Sequence, residues 1–294
     1  MVAWIAGNFV TLLNGVAIGF LIYTMAVGLS LVFGMMDVLN LAHGSVFLLG
    51  AYVAYSLASH PGGFLLAILV ALITGAVAGL VLSAATSLVA RRGHLDQAVL
   101  TLGIALLAGQ GLAAIWGSDV KSVQAPAWLD GSTVLFGAVY PTYRLAVIGM
   151  GLALAIGVYF FIERTRFGVI VRAAVADQGM TAACGVNTRL LLFGTFSVGT
   201  ALAAVGGVLA GPVLGAYRGL DNDVLILALI VVIVGGLGSA KGALIGALIV
   251  GQVRSLGVVI LPQAASVLLF LILAIVLVVR PTGIAGKPGV VTHS

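Results

Sequence analysis

Charge is the scarcest property of this sequence. Only 7% of its 294 residues are Asp, Glu, Lys or Arg, against 62% hydrophobic residues. Soluble globular domains carry about 25% charged residues. A water-facing surface cannot be built from so few, and the mean hydropathy of +1.28 places the chain in lipid as an integral membrane protein. Cysteine is almost absent too. Cys184 stands alone, which excludes an intramolecular disulfide and leaves a reduced structural thiol as the default reading. No GxxxxGK[ST] phosphate loop occurs. No converging Ser, His and acid set suggests nucleophilic catalysis, and the His and acidic residues show no familiar metal-ligand spacing. Neither a cofactor nor a metal is expected, and any energy source must come from another chain. The N-terminus lacks a charged leader region, and the apolar run Phe9 to Met36 is too long for a signal peptide core.

Glycine is abundant, at 41 residues, and small residues allow close helix approach where lipid offers no hydrophobic drive. Continuous apolar runs fall at 9–34, 44–59, 64–90, 98–116, 143–162, 190–216, 224–238, 242–261 and 264–280. Most are long enough to cross a hydrocarbon core of ~30 Å at ~1.5 Å per residue. They predict an all-α, polytopic bundle of eight or nine transmembrane segments with broken or re-entrant pieces, in a single domain over 1–294. A strand barrel would alternate instead. The net charge of +5 follows from basic residues between apolar runs, so nucleic acid is not the expected partner; the positive-inside rule accounts for it. Arg91 and Arg92, the group Arg164, Arg166, Arg172 and Arg189, and finally Arg280 and Lys287 alternate with loops that hold only Lys121, Arg144 and Arg218. The C-terminus is therefore expected in the cytoplasm, the N-terminus outside, and the loop 117–142 on the outer side.

Two interruptions stand out. Residues 37–43, DVLNLAH, break an apolar run, and so do residues 235–242, GGLGSAKG. Non-helical backbone at membrane depth needs protein or a water-filled cavity to satisfy it. Either stretch lines a path or is a tight cytoplasmic turn. Ala42-His43-Gly44 and Ala240-Lys241-Gly242 each open an apolar helix, a faint internal echo of the paired interruptions that mark transport pathways; chance in a Gly- and Ala-rich chain is the alternative. Candidate path residues are Asp37, Asn40, His43, Ser45, Gly235, Gly236, Ser239 and Arg254. Asp37, Asn40 and His43 share a face if their stretch is helical; otherwise they cap the next helix at the interface. Arg254 lies ~12 Å deep and either snorkels outward or faces an aqueous vestibule where it attracts a carboxylate. Asp221 and Asp223, after Arg218 in the outer loop, read as a solvated turn, with contact to a docking partner as the alternative.

The stretch 163–190, ERTRFGVIVRAAVADQGMTAACGVNTRL, is a polar island in this apolar chain. Phe167, Ile170, Val171, Ala174 and Val175 recur near helical spacing, with Arg166, Arg172, Asp177 and Gln178 opposite. A short amphipathic helix follows, stopped at Gly185, with Asn187 and Thr188 capping the next span. It suits a protein groove or the bilayer surface.

Four places together resemble the LivH-type permease subunits of branched-chain amino-acid ABC importers. Asn40, Ala42, His43, Gly44, then Gly50, Ala51 and Tyr52, match an N-x-A-H-G core before G-A-Y. The island matches at Glu163, Arg164, Phe167, Gly168, Arg172, Ala173, Asp177 and Gly185-Val186-Asn187. Val234 to Gly242 is similar to V-x-G-G-x-G-S-x-x-G, and Arg280-Pro281-Thr282-Gly283 closes the last span. The resemblance covers nearly the whole chain. It implies an inner-membrane permease without its own ATPase, paired with a LivM-like permease in a heterodimer, two cytoplasmic ATP-binding subunits and an extracytoplasmic solute-binding protein. It implies that segment 163–189 is the coupling loop, with Glu163, Arg164, Arg166, Phe167, Gly168, Arg172, Asp177 and Gly185 meeting an ATPase groove. The implied cargo is branched-chain or other neutral amino acids; urea, short amides and small organic acids are alternatives. Two departures bear on cargo: the loop 91–97 is short and weakly basic, and Arg254 stands where an acidic residue is common in the family. A self-sufficient channel or secondary transporter is the further alternative; a secondary transporter usually displays ionisable mid-span residues, few occur, and the island would go unexplained.

Overall fold

The computed structural model describes residues 2–36, 40–60, 62–89, 92–135 and 137–285. Among them lie eleven α-helices: α1 (Val2–Met36), α2 (His43–Leu57), α3 (Gly63–Val89), α4 (His94–Trp116), α5 (Thr142–Arg164), α6 (Arg166–Ala176), α7 (Gln178–Ala183), α8 (Thr188–Leu214), α9 (Leu220–Gly235), α10 (Ala240–Ile260) and α11 (Ala265–Val279). Six are long and apolar enough to cross a membrane: the 9–34 part of α1, then α3, α4, α5, α8 and α10. The apolar runs in the sequence map one-to-one onto α1 to α5 and α8 to α11. The island is two helices, α6 and α7, rather than one. A departure from all-α is the antiparallel hairpin β1 (Ser132–Leu135) and β2 (Ala138–Pro141), in register Thr133↔Tyr140 and Val134↔Val139. Its β-branched residues flank Gly137, whose φ of 84° suits a tight hairpin turn.

α1 is the central post. Its residues 19–32 are buried, and α10, α8, α5 and α9 pack around it. α8 is the second post, carrying α2 and α3. Glycine sets these crossings. A Cβ on Gly50 of α2 would run into the Ala204 carbonyl of α8, and one on Gly207 into the Phe47 carbonyl of α2. Close backbone approach of this kind is the packing that lipid-embedded helices rely on. Thr200 Oγ1 adds a 2.7 Å bond to the Gly75 carbonyl of α3. α3, α4 and α11 show apolar side chains outward, among them Leu69, Leu107 and Val278, as a bilayer or an apolar partner requires.

The bundle has two faces. On one, Gly34 of α1 lies against Gly238 and Val175, so the ends of α1 and α9, the start of α10 and helix α6 meet. Here the chain after α11 folds back: Ile284 N donates to Val234 O and Ala285 N to Gly235 O, each at 2.9 Å. The opposite face carries the hairpin. There Lys121 and Ala216 exchange backbone bonds of 2.8 and 2.9 Å, tying the α4–α5 connection to the α8–α9 connection.

Candidate functional site

α2 does not start at a face. Three hydrogen bonds hold it parallel to α4 at a constant offset: Leu41 N to Thr101 Oγ1 at 3.3 Å, Ser45 Oγ to Ala105 O at 3.2 Å, and Trp116 Nε1 to Ser56 Oγ at 2.8 Å. The first residue of α2 is thus level with the ninth or tenth of α4, ~13 Å along that helix at ~1.5 Å per residue. Asn40 and His43 are 2% and 0% exposed. Of the two positions open to them, at the interface or within the bundle, they lie inside the bundle. They are also not on one helical face, because Asn40 precedes the helix that His43 opens. Asn40 Oδ1 accepts from Ala42 N at 3.1 Å, while its Nδ2 is buried without a partner. The His43 ring abuts the Met25 backbone of α1, neither nitrogen in good hydrogen-bond geometry. Asp37 lies outside the described residues.

The start of α9 meets the start of α2. A Cβ on Gly44 would collide with the backbone of Asp221, so two helix N-termini, each with a positive dipole end, sit side by side inside the bundle. Asp221 occupies the first turn of α9 and is 9% exposed; its carboxylate offsets that field. The reading of Asp221 as part of a solvated turn is therefore corrected. Asp223 accepts from Tyr217 Oη at 2.8 Å. Burial, then this bond, raises the Tyr217 pKa above the ordinary tyrosine value.

The glycine interruption between α9 and α10 is a tight hairpin. Gly236 and Gly238 have φ of 103° and 74°, and Ser239 Oγ caps α10 by accepting from Gly242 N at 3.0 Å. The backbones of Gly235 and Gly242 are in direct contact. Gly235, Gly236 and Ser239 thus form one turn on the α6 face, about fourteen residues or ~20 Å along α10 from Arg254. The seven path candidates among the described residues are not one cluster. Asn40, His43 and Ser45 form an internal group, the three turn residues a second, and Arg254 a third.

Arg254 lines a cavity of about 130 Å³ between α1, α2, α5, α8, α9 and α10, with Asn14 and Arg144 also in its wall. Arg144 Nη1 donates to Asn14 Oδ1 at 2.6 Å. Sequence reading treated Arg144 only as a loop charge and passed over Asn14. A basic residue in the first turn of a span was the signal available.

The island is anchored at every joint. Thr165 caps α6 by accepting from Gly168 N at 3.1 Å, Asp177 caps α7 by accepting from Met180 N at 2.8 Å, and Asn187 caps α8 by accepting from Leu190 N at 3.0 Å. Gly168 presses on the Ile162 carbonyl, and Gly185, with φ of 84°, ends α7. The apolar stripe of α6 is used internally: Val171 and Ala174 are buried with Leu191 of α8, and the Phe167 ring packs at a tilt against Phe161 with centroids 5.4 Å apart. Arg172, half-exposed, reaches back to the end of α5, donating to the Ile162 carbonyl and pairing with Glu163 at 3.0 Å. The other Glu163 oxygen pairs with Lys241 at the start of α10, at 3.1 Å. Arg164, Arg166 and Asp177 are exposed. Between α6 and α7 lies an open apolar groove lined by Val169, Ala173, Met180, Cys184 and Val186 among others.

These features sit in a chain that, over residues 11–279, matches the family described as branched-chain amino acid transport system / permease component. The chain belongs to that family. The high-affinity branched-chain amino acid transport system permease protein BraD of Pseudomonas aeruginosa is 30% identical over 296 residues, 95% of this chain and 96% of its own. The corresponding LivH of Escherichia coli is 29% identical over 301 residues, 94% and 95% of the two chains. The ribose import permease protein RbsC of Escherichia coli is 26% identical over 241 residues, 77% and 71%. The protein is a multi-pass membrane permease of the ABC type without an ATPase domain, and membership implies ATPase and binding-protein partners.

Proposed function

We propose that this permease moves branched-chain or other neutral amino acids inward by ATP-driven alternating access, as one half of a heterodimer with a LivM-like permease. The whole of 1–294 acts as one transmembrane domain, and the α6 face lies in the cytoplasm with the hairpin face outside. One observation carries the reading: the capped α6–α7 unit is tied through Glu163, Arg172 and Lys241 to the ends of α5 and α10. A push on a segment braced in this way moves two spans together. Arg164, Arg166 and the apolar groove supply an outer surface for an ATPase subunit, while Phe167, Gly168, Arg172, Asp177 and Gly185 shape the element. Inside, the broken passage before α2 supplies buried polar groups from Asn40, His43 and Ser45 beside a potential path. The basic clusters and the α6 face agree with the positive-inside rule.

The test is uptake of labelled leucine by liposomes holding the complete complex with loaded binding protein. ATP-dependent accumulation is expected. Uptake of urea or short amides in its place would replace the cargo, and accumulation driven by an ion gradient without ATP would overturn the mechanism.

A further inference from the structure

We propose that the cavity walled by Asn14, Arg144 and Arg254 is a solute subsite that holds the carboxylate of a compact aliphatic acid as it leaves the binding protein. The proposal rests on the importer reading above and adds the group that recognises the solute inside the permease.

The two arginines come from helices far apart in sequence, α5 and α10, and share one cavity of about 130 Å³. Their positions are fixed by the packing around them. On either side of Arg254, Gln252 Nε2 donates to Leu12 O at 2.9 Å and Ser255 Oγ to Thr11 O at 2.6 Å, so α10 is pinned to α1 with Arg254 turned to the cavity. Asn14 holds Arg144 at 2.6 Å through one guanidinium nitrogen, which leaves its remaining N–H groups available. Among the described residues the ion pairs are Lys121–Asp119, Arg172–Glu163 and Lys241–Glu163, so neither cavity arginine is in direct contact with a carboxylate; Arg254 lies near enough to act on Tyr217, which Asp223 holds at 2.8 Å.

Two cations facing one low-dielectric cavity repel each other, and an anion placed between them relieves that repulsion. A guanidinium fork matches a carboxylate in two parallel bonds, which a primary amide cannot return. The rest of the wall is aliphatic or aromatic: Ile18, Leu21, Ile22, Leu214, Val224, Leu227 and their neighbours, with Phe47 of α2. Such a lining accepts a branched hydrocarbon chain and offers nothing to a polyol. Phe47 and Leu227 belong to the two helices whose starts meet inside the bundle, so a solute here touches elements that converge on His43 and Asp221.

The experiment uses the purified permease–ATPase complex without binding protein, and labelled 4-methylpentanoate as probe, a carboxylate with a branched tail and no amine. Saturable binding is expected, displaced by leucine and not by leucinamide or 4-methylpentanamide. Arg144→Gln with Arg254→Gln should weaken it about tenfold or more, while Arg254→Lys, which keeps the charge, loses less. In uptake with saturating loaded binding protein, the double variant should lower turnover and leave the half-saturating binding-protein concentration unchanged. No saturable probe binding, or equal displacement by the amides, overturns the subsite, and neither result depends on how a variant folds. A raised half-saturating concentration with unchanged turnover would also overturn it, assigning the arginines to docking of the binding protein. Absence of ATP-driven leucine uptake by the unaltered complex would count against the importer reading, a separate failure.

Discussion

Glu163 is the residue through which the island reaches the bundle, and its replacement by Gln gives a quantitative test. Its two oxygens pair with Arg172 at 3.0 Å and Lys241 at 3.1 Å. The side chains of Glu163, Arg172 and Lys241 are 30%, 40% and 62% exposed. Pairs as wet as these each contribute only ~0.2–1 kcal/mol, so Glu163→Gln should cost about 1 kcal/mol of folding and move the melting temperature of the complex by roughly 2 °C. Arg172 keeps its bond to the Ile162 carbonyl, which preserves the placement of α6. The larger effect falls on coupling. If ~1 kcal/mol is what ties movement of α6 to movement of α10, its loss changes the balance of coupled and uncoupled states about fivefold. Leucine transported per ATP hydrolysed should fall by about that factor, while ATP turnover persists.

The assay is a double-mutant cycle on that ratio in proteoliposomes, with Glu163→Gln, Lys241→Gln and both together. The double variant should be no worse than Glu163→Gln alone, because the same bond is lost once. Raising salt toward 1 M, where the screening length is ~3 Å, should bring the unaltered complex toward the variants. Strictly additive losses, or a coupling ratio that ignores both charge and salt, would refute the linkage.

Three further outcomes follow from the geometry. Gly50→Leu drives a side chain into the Ala204 carbonyl at the α2–α8 crossing, and should cost on the order of 3 kcal/mol, read as failed recovery of the complex. Cys184, the single cysteine, is exposed in the groove between α6 and α7; a maleimide should label it in the isolated permease and be excluded once the ATPase subunits bind, and equal labelling in both would remove that groove from the ATPase interface. His43→Ala should lower transport without loss of assembly, because the buried ring makes no well-formed hydrogen bond whose removal would unfold the core; unchanged uptake across several amino acids would make the ring a packing element only.

Much of the architecture was readable in one dimension because lipid imposes a simple demand: a span must be long, apolar and internally hydrogen-bonded. The nine apolar runs became helices for that reason, and the cap at Asn187 was visible from residue type and position. The short hairpin after α4 was not, since two four-residue strands between two spans carry a weak signal. The site was legible only in pieces. Asn40 and His43 stood out as polar residues in an apolar run, but nothing in their spacing told that α2 begins beside the middle of α4. Arg172 stood out as a charge opposite the apolar stripe, but its partners Ile162 and Glu163 at the end of α5 were not legible.

Composition and hydropathy alone determined that this chain lives in a membrane and how many apolar segments it has. Those properties depend on local chemistry summed along the chain. Only the tertiary structure decided which charges meet: Glu163 with Lys241, 78 residues on, and Arg144 with Arg254 around one cavity. Their meeting depends on how glycine-lined helices cross, and crossings arise from contacts between distant segments.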